Sequence, residues 1–164
     1  MKHTTLLAST LLALSLQSPL VSAGNNGETA PQFTAQRING ETFDLSKYKG
    51  DKPVLLKFWA TWCSYCLEEM PHLNATYDKY KGKLEVLTVN VGINDSVSNV
   101  KDLFAKNGYN LPVVFDADGS LTSQYKVIGT PTQVLIDKDG KVRIRTHLTT
   151  DALESAIEEL AQES

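Results

Sequence analysis

This chain of 164 residues holds two cysteines, Cys63 and Cys66, both inside one motif, Trp62-Cys63-Ser64-Tyr65-Cys66. The place of that motif constrains the fold more than its spacing alone. Before it runs Val54-Leu55-Leu56-Lys57-Phe58-Trp59, short and apolar enough for a buried strand, and after it comes a helix-forming stretch. A strand that feeds a helix puts the first sulfur among the unpaired N–H groups of the opening turn, where the helix dipole favours thiolate. The second thiol lies one turn deeper and can close the ring. The pair therefore reads as a reversible dithiol/disulfide couple, which is its own redox group and calls for no further cofactor.

Other uses of two cysteines fit less well. A structural zinc site takes four N/S ligands and a catalytic one three, whereas the histidines that remain beyond the N-terminal segment are His72 and His147. Haem attachment needs histidine after the second cysteine, and Leu67 stands there. As a purely structural crosslink the bridge would close a very short loop, where the gain in chain entropy is small. No metal is expected.

The N-terminus adds the compartment. Met1-Lys2-His3, an apolar run from Leu6 to Leu16 and small residues at Val21-x-Ala23 read as a signal peptide over residues 1–23, cleaved after Ala23. Gln17, Ser18 and Pro19 interrupt the run, well short of the ~20 apolar residues of a spanning helix. Residues 24–164 are then one exported, soluble domain. With 16 Lys+Arg against 19 Asp+Glu the formal charge is −3, and no basic stripe marks a nucleic-acid partner. An exported chain whose only cysteines form one C-x-x-C is built to act on the disulfides of other proteins, not to be stapled by its own.

The rest of the chain divides by period and turn chemistry. Residues 24–31 read as a loose leader, and Phe33 to Leu45 as a hairpin about Asn39-Gly40. Strands are predicted at Val54–Phe58, Leu84–Val91, Leu111–Phe115, Thr132–Ile136 and Val142–Thr146. Helices are predicted from Cys63 to Tyr80, broken or kinked at Pro71, then at Val97–Asn107 ending on Gly108, at Ser120–Tyr125 and at Asp151–Ala161 with Asp151 as cap. That order argues an α/β fold, a central mixed sheet with helices on both faces. Asp116-Ala117-Asp118-Gly119 and Asp137-Lys138-Asp139-Gly140 read as turns, Asn74-Ala75-Thr76 and Asn94-Asp95-Ser96 as chance glycosylation tripeptides, and His72 as helix surface.

Phe58-Trp59-Ala60-Thr61-Trp62-Cys63-x-x-Cys66, Pro71, and Gly129-Thr130-Pro131-Thr132 together resemble the thioredoxin superfamily over the whole of residues 24–164. The nearest branch resembles the exported TlpA/ResA/DsbE-like thiol–disulfide oxidoreductases. Asn39-Gly40 with Leu45-Ser46-x-Tyr48-x-Gly50, Glu69 after Cys66, and the inserted helix at Val97 to Gly108 carry that likeness. The resemblance implies a thioredoxin fold with Cys63 as exposed nucleophile and Cys66 as buried resolving thiol. It also implies a cis Pro131, with Trp62, Thr130 and Pro131 on the substrate side. Its direction would be that of a monomeric reductant, kept dithiol by a membrane electron donor and serving folding or cofactor-receiving proteins, as in cytochrome c biogenesis. An oxidant or isomerase is the opposite direction, and a module that holds clients without turnover is the non-enzymatic alternative.

Two further residues stand beneath the cysteines. Glu69 matches the acid that this branch places there, which would take or shuttle the proton of Cys66; the plain alternative makes Glu68-Glu69 a solvated face early in a helix, as Glu68 is expected to be. Lys57 departs from the family, in mid-strand where a neutral or acidic residue is usual. It either snorkels past a strand edge or pairs with Glu69, the one carboxylate placed to reach it, and it would then tune the cysteine pKa. Ser64-Tyr65 also departs from the proline-containing pair of known reductants, so analogy does not set the potential.

Overall fold

The computed structural model describes residues 27–164. The signal peptide expected over residues 1–23 and its cleavage after Ala23 lie outside the described residues. Strand β3 (Val54–Trp59) is buried at every position, as the apolar run requires, and forms the centre of the sheet. It pairs in parallel with β4 (Glu85–Asn90), which pairs in parallel with β5 (Val113–Phe115). On its other side β6 (Thr132–Ile136) runs antiparallel, followed by antiparallel β7 (Val142–Thr146), so the spatial order is β5-β4-β3-β6-β7. A separate hairpin, β1 (Thr34–Gln36) with β2 (Thr42–Asp44), turns at Gly40 and reaches the β5 edge through Ile38 N–H to Val113 O at 2.9 Å.

Helix α1 (Ser64–Lys79) leaves the end of β3, and α2 (Val97–Asn107), α3 (Ser120–Gln124) and α4 (Asp151–Gln162) follow in the later connections. Helices cover both faces of the sheet. On one face Lys57 meets α1 and Gln133 meets the start of α4; on the other, Phe58 packs on Tyr125, which closes α3, with ring centroids 5.5 Å apart. This is the mixed sheet, N-terminal hairpin and inserted helix that the resemblance implies. Among the described residues no helix is long and apolar enough to cross a membrane.

Three expectations are corrected. Residues 27–30 are not a loose leader: Gly27 N–H reaches Val142 O at 2.6 Å, Val142 N–H reaches Glu28 O at 2.9 Å, and Ala30 is buried. Backbone pairing along the open edge of β7 holds them, a partner that composition does not reveal. Helix α1 is not broken at Pro71 but runs through it, because Cys66, Met70 and Leu73 anchor its inner face while Pro71 sits on the solvent side. The cap of α4 is Thr150, whose hydroxyl accepts Leu153 N–H at 3.2 Å, and Asp151 lies in the first turn, where its charge faces the helix dipole.

Register matters most at the centre. Lys57 lies opposite Thr88 of β4 and Gln133 of β6, so three polar side chains cross the sheet in one row, each 0–1% exposed. A buried polar row is tolerable only where every member finds a partner. Thr88 Oγ1 donates to Pro112 O at 2.9 Å, and the partners of Lys57 and Gln133 belong to the site.

Candidate active site

Cys63 caps α1, its sulfur accepting Cys66 N–H at 3.2 Å, and the two are joined as a disulfide with Cα atoms 5.2 Å apart. Cys66 is fully buried. Cys63 was expected to be exposed and is only 6% so; folding back to cap the helix draws its sulfur against the first turn. Thr130–Pro131 is a cis peptide, and Pro131 precedes Thr132, which pairs with Phe58. The proline therefore stands at the end of β3 from which the cysteine motif departs. Its loop is tied by Thr132 Oγ1 donating to Gly129 O at 2.7 Å, and His147 Nδ1 lies 3.2 Å from Pro131 O.

Three residues after Cys66 on α1, Glu69 Oε2 forms an ion pair with Lys57 Nζ of β3. The lysine does not snorkel: it is wholly buried, while the Glu69 side chain keeps 15% exposure. The second oxygen of Glu69 accepts Thr149 N–H at 2.5 Å, and Thr149 Oγ1 accepts from Gln133 Nε2 at 3.1 Å. Lys57, Glu69, Thr149 and Gln133 thus form one network that ties β3, α1, the approach to α4, and β6. Burial pulls the Lys57 ammonium below the usual lysine range, against the hydrogen bond and charge of Glu69. Burial also acts to raise Glu69, but the hydrogen bonds from Lys57 and Thr149 outweigh it and hold the carboxyl below the usual range. As an ion pair the two charges cancel, and the pair adds no net charge to the core.

The outer rim is held separately. Trp62 donates its indole N–H to Ile93 O at 2.7 Å, and Asp95 accepts from Thr61 N–H and Thr61 Oγ1, both at 2.7 Å. Glu68 is exposed, and His72 pairs across to Glu154 on α4 at 2.8 Å. The sequence did not single out Asp95, Thr149, Gln133 or His147 as part of this site. Asp95 had a local sign, an Asp-Ser pair opening a helix, but its bond to Thr61 spans 34 residues.

A redox disulfide at the head of the first helix after a central strand, with a cis-proline loop at the same end of the sheet, defines a thiol–disulfide oxidoreductase of thioredoxin fold. Residues 26–145 match the AhpC/TSA family, and the chain belongs to that family. The thiol–disulfide oxidoreductase ResA of Bacillus thuringiensis subsp. konkukian is 37% identical over 137 residues, covering 82% of this chain and 78% of its own. Among solved structures, the exposed lipoprotein thioredoxin of Streptococcus pneumoniae superposes with TM-score 0.68 at 35% identity, covering 82% of this chain and all of its own. A secreted disulfide oxidoreductase of Mycobacterium tuberculosis, homologous to DsbE, superposes with TM-score 0.66 at 26% identity, over 80% of this chain and 96% of its own.

Proposed function

We propose that this protein is exported and acts as a dithiol reductant of disulfides in other proteins. One observation carries the reading. Among the described residues the large apolar side chains left in solvent are Trp62, Tyr65, Ile93, Ile128 and Leu148, with Ile128 93% exposed. All belong to segments at the end of the sheet that carries the disulfide. Trp62 and Tyr65 belong to the motif, and Ile93 holds the Trp62 indole. Ile128 opens the Pro131 loop, and Leu148 precedes the residue that binds Glu69. An exposed apolar surface of this kind marks a protein-binding face. Gathered round a disulfide, it suits an extended client segment that carries one.

The chemistry then runs in two exchanges. Cys63 thiolate attacks one client sulfur, and the other leaves as thiolate and takes a proton. Cys66 thiolate attacks Cys63 Sγ, the mixed disulfide breaks, the client departs as a dithiol that has gained the pair of electrons, and Cys63–Cys66 is left as the oxidised disulfide. A membrane dithiol donor reverses the cycle, and no cofactor beyond the cysteines takes part. Clients include folding and cofactor-receiving proteins, among them those of cytochrome c biogenesis. Trp62, Thr130 and Pro131 hold the client. Lys57 favours thiolate at Cys66, which stabilises the dithiol form and raises the potential, and Glu69 opposes it. Export rests on the leader pattern of residues 1–23 and on likeness to a secreted oxidoreductase and an exposed lipoprotein. The released form is a soluble monomer of residues 24–164.

The test is the reduction potential, measured by equilibration with glutathione or dithiothreitol. A value near about −270 mV or lower fits a reductant, and one near about −120 mV makes the protein an oxidant. The thiol roles are tested with a disulfide-bearing peptide. Cys66→Ser should accumulate the mixed disulfide and Cys63→Ser should form none; the reverse outcome exchanges the two roles.

A further inference from the structure

We propose that Asp95 is a positioning residue for client binding: its carboxylate fixes Thr61-Trp62, so that Trp62 and Ile93 form one rigid apolar lip beside Cys63. The inference rests on the reading of the rim as the client surface.

Thr61-Trp62 lies between β3 and α1 and belongs to neither, so other parts of the chain must hold it. Asp95 does so with unusual completeness. Its Oδ2 accepts Thr61 N–H at 2.7 Å and Asn90 Nδ2 at 2.8 Å. Its Oδ1 accepts Thr61 Oγ1 at 2.7 Å, Ser96 N–H at 2.9 Å and Asn99 Nδ2 at 3.3 Å. All of these are donors, so only the ionised carboxylate serves every one of them; burial works against the charge, but the bonds from Asn90, Thr61 and Ser96 hold the group below the usual aspartate range. An asparagine would set its own amide hydrogens against one cluster of donors.

The loop that carries Asp95 is itself fixed. Asn90, at the end of β4 and fully buried, also accepts Gly92 N–H at 3.0 Å through its side-chain oxygen. Gly92 has φ +73°, and a Cβ built on it would stand 2.5 Å from Asp116 O, so the loop is wedged against the turn after β5. Asp116 N–H closes the wedge on Asn90 O at 2.9 Å. The segment is therefore anchored at Asn90, Gly92, Asp95 and Ser96, and Asp95 and the Ile93 carbonyl carry that anchorage to Thr61 and Trp62. The side chains of Trp62 and Ile93 stay more than half exposed. They are held in place yet left uncovered, the combination that lets a partner bind without first ordering the surface.

The experiment compares Asp95→Asn, Thr61→Val and Thr61→Ser with wild type in the full domain, using a peptide whose disulfide lies in an extended apolar sequence. Two readouts are taken: the KM and kcat of disulfide exchange, and the solvent exchange of the Trp62 indole N–H by NMR. Asp95→Asn should raise KM about tenfold, the size of losing a charged hydrogen-bond acceptor, with kcat changed less than about twofold. Its indole proton should exchange faster. Thr61→Val removes one bond to Asp95 and should move both readouts the same way by less, and it carries the test if the first variant does not fold. Thr61→Ser restores the hydroxyl and should return both to wild type. An unchanged KM, or a fall in kcat alone, overturns the proposal. If wild type exchanges with no disulfide peptide, the oxidoreductase reading fails instead, and the indole exchange still reports whether the clamp exists.

Discussion

Asp95, bonded to Thr61, and Glu69, three residues after Cys66, are both carboxylates, both held ionised, and held by different means. Asp95, in a loop near water, is satisfied by neutral N–H and O–H donors alone. Glu69 receives one neutral N–H, from Thr149, and a cation, Lys57. The difference follows from depth. Near the surface, solvent screens whatever charge the dipoles leave. At the centre of the sheet Lys57 is wholly buried, and an ammonium there needs a counter-charge. Glu69 is thus answerable for the lysine, whereas nothing charged depends on Asp95. In the roles proposed above, one carboxylate bears on the energetics of Cys66 and the other on the shape of the rim beside Cys63.

The largest test of that contrast is Glu69→Gln, which leaves Lys57 buried without its partner and should cost about 3–5 kcal/mol in urea unfolding at neutral pH. It should also lower the Cys66 pKa and raise the potential, because an uncompensated cation stabilises the thiolate. A loss under about 1 kcal/mol would mean that water reaches Lys57 after all.

Lys57→Met should cost less, about 1–3 kcal/mol, because Glu69 keeps Thr149 N–H and some solvent. Its redox effect should have the opposite sign, a higher Cys66 pKa and a lower potential. If both variants move the potential in one direction, the pair does not act through its field and the contrast breaks.

Asp95→Asn should cost about 1–2 kcal/mol, since water can replace part of what is lost. The pH profile sharpens the comparison. Both carboxyls are lowered on folding, so each contributes stability that is complete above its ordinary value, 4.5 for Glu69 and 3.8 for Asp95, and that is lost as pH falls through the lowered one. Urea midpoints from pH 6 to pH 3 should fall steeply in wild type, with Glu69→Gln flattening the upper part of the acid limb and Asp95→Asn the lower part. An acid limb that neither variant changes would assign acid unfolding to other groups.

The smallest effect is expected of Thr149→Ala, about 1 kcal/mol. It keeps the backbone N–H on Glu69 and strips the acceptor from the buried Gln133 amide. The Cys66 titration should stay as in wild type. A shifted titration would place the Thr149 hydroxyl in the charge network as well.

Much of this was legible in the chain itself, because the signals are local. The bounds of α2, β6 and β7 follow from apolar periods and turn residues only a few positions long, and the C-x-x-C marks its own chemistry. Even the ion pair had a local trace, a lysine between apolar residues in mid-strand and a carboxylate 12 positions on. What the chain alone did not decide lies at the ends of the sheet, where loops meet through strand order. Asp95 reaches Thr61 across 34 residues and Thr149 reaches Glu69 across 80. Ile128 and Leu148 join the rim only because β6 and β7 bring their loops to the end of β3 that carries the cysteines. The pairing of residues 27–30 with β7, and the passage of α1 through Pro71, likewise depend on neighbours distant in sequence. Periodicity tells a segment which face to bury; which other segments wait there is decided by the crossovers, and only the assembled sheet holds that information.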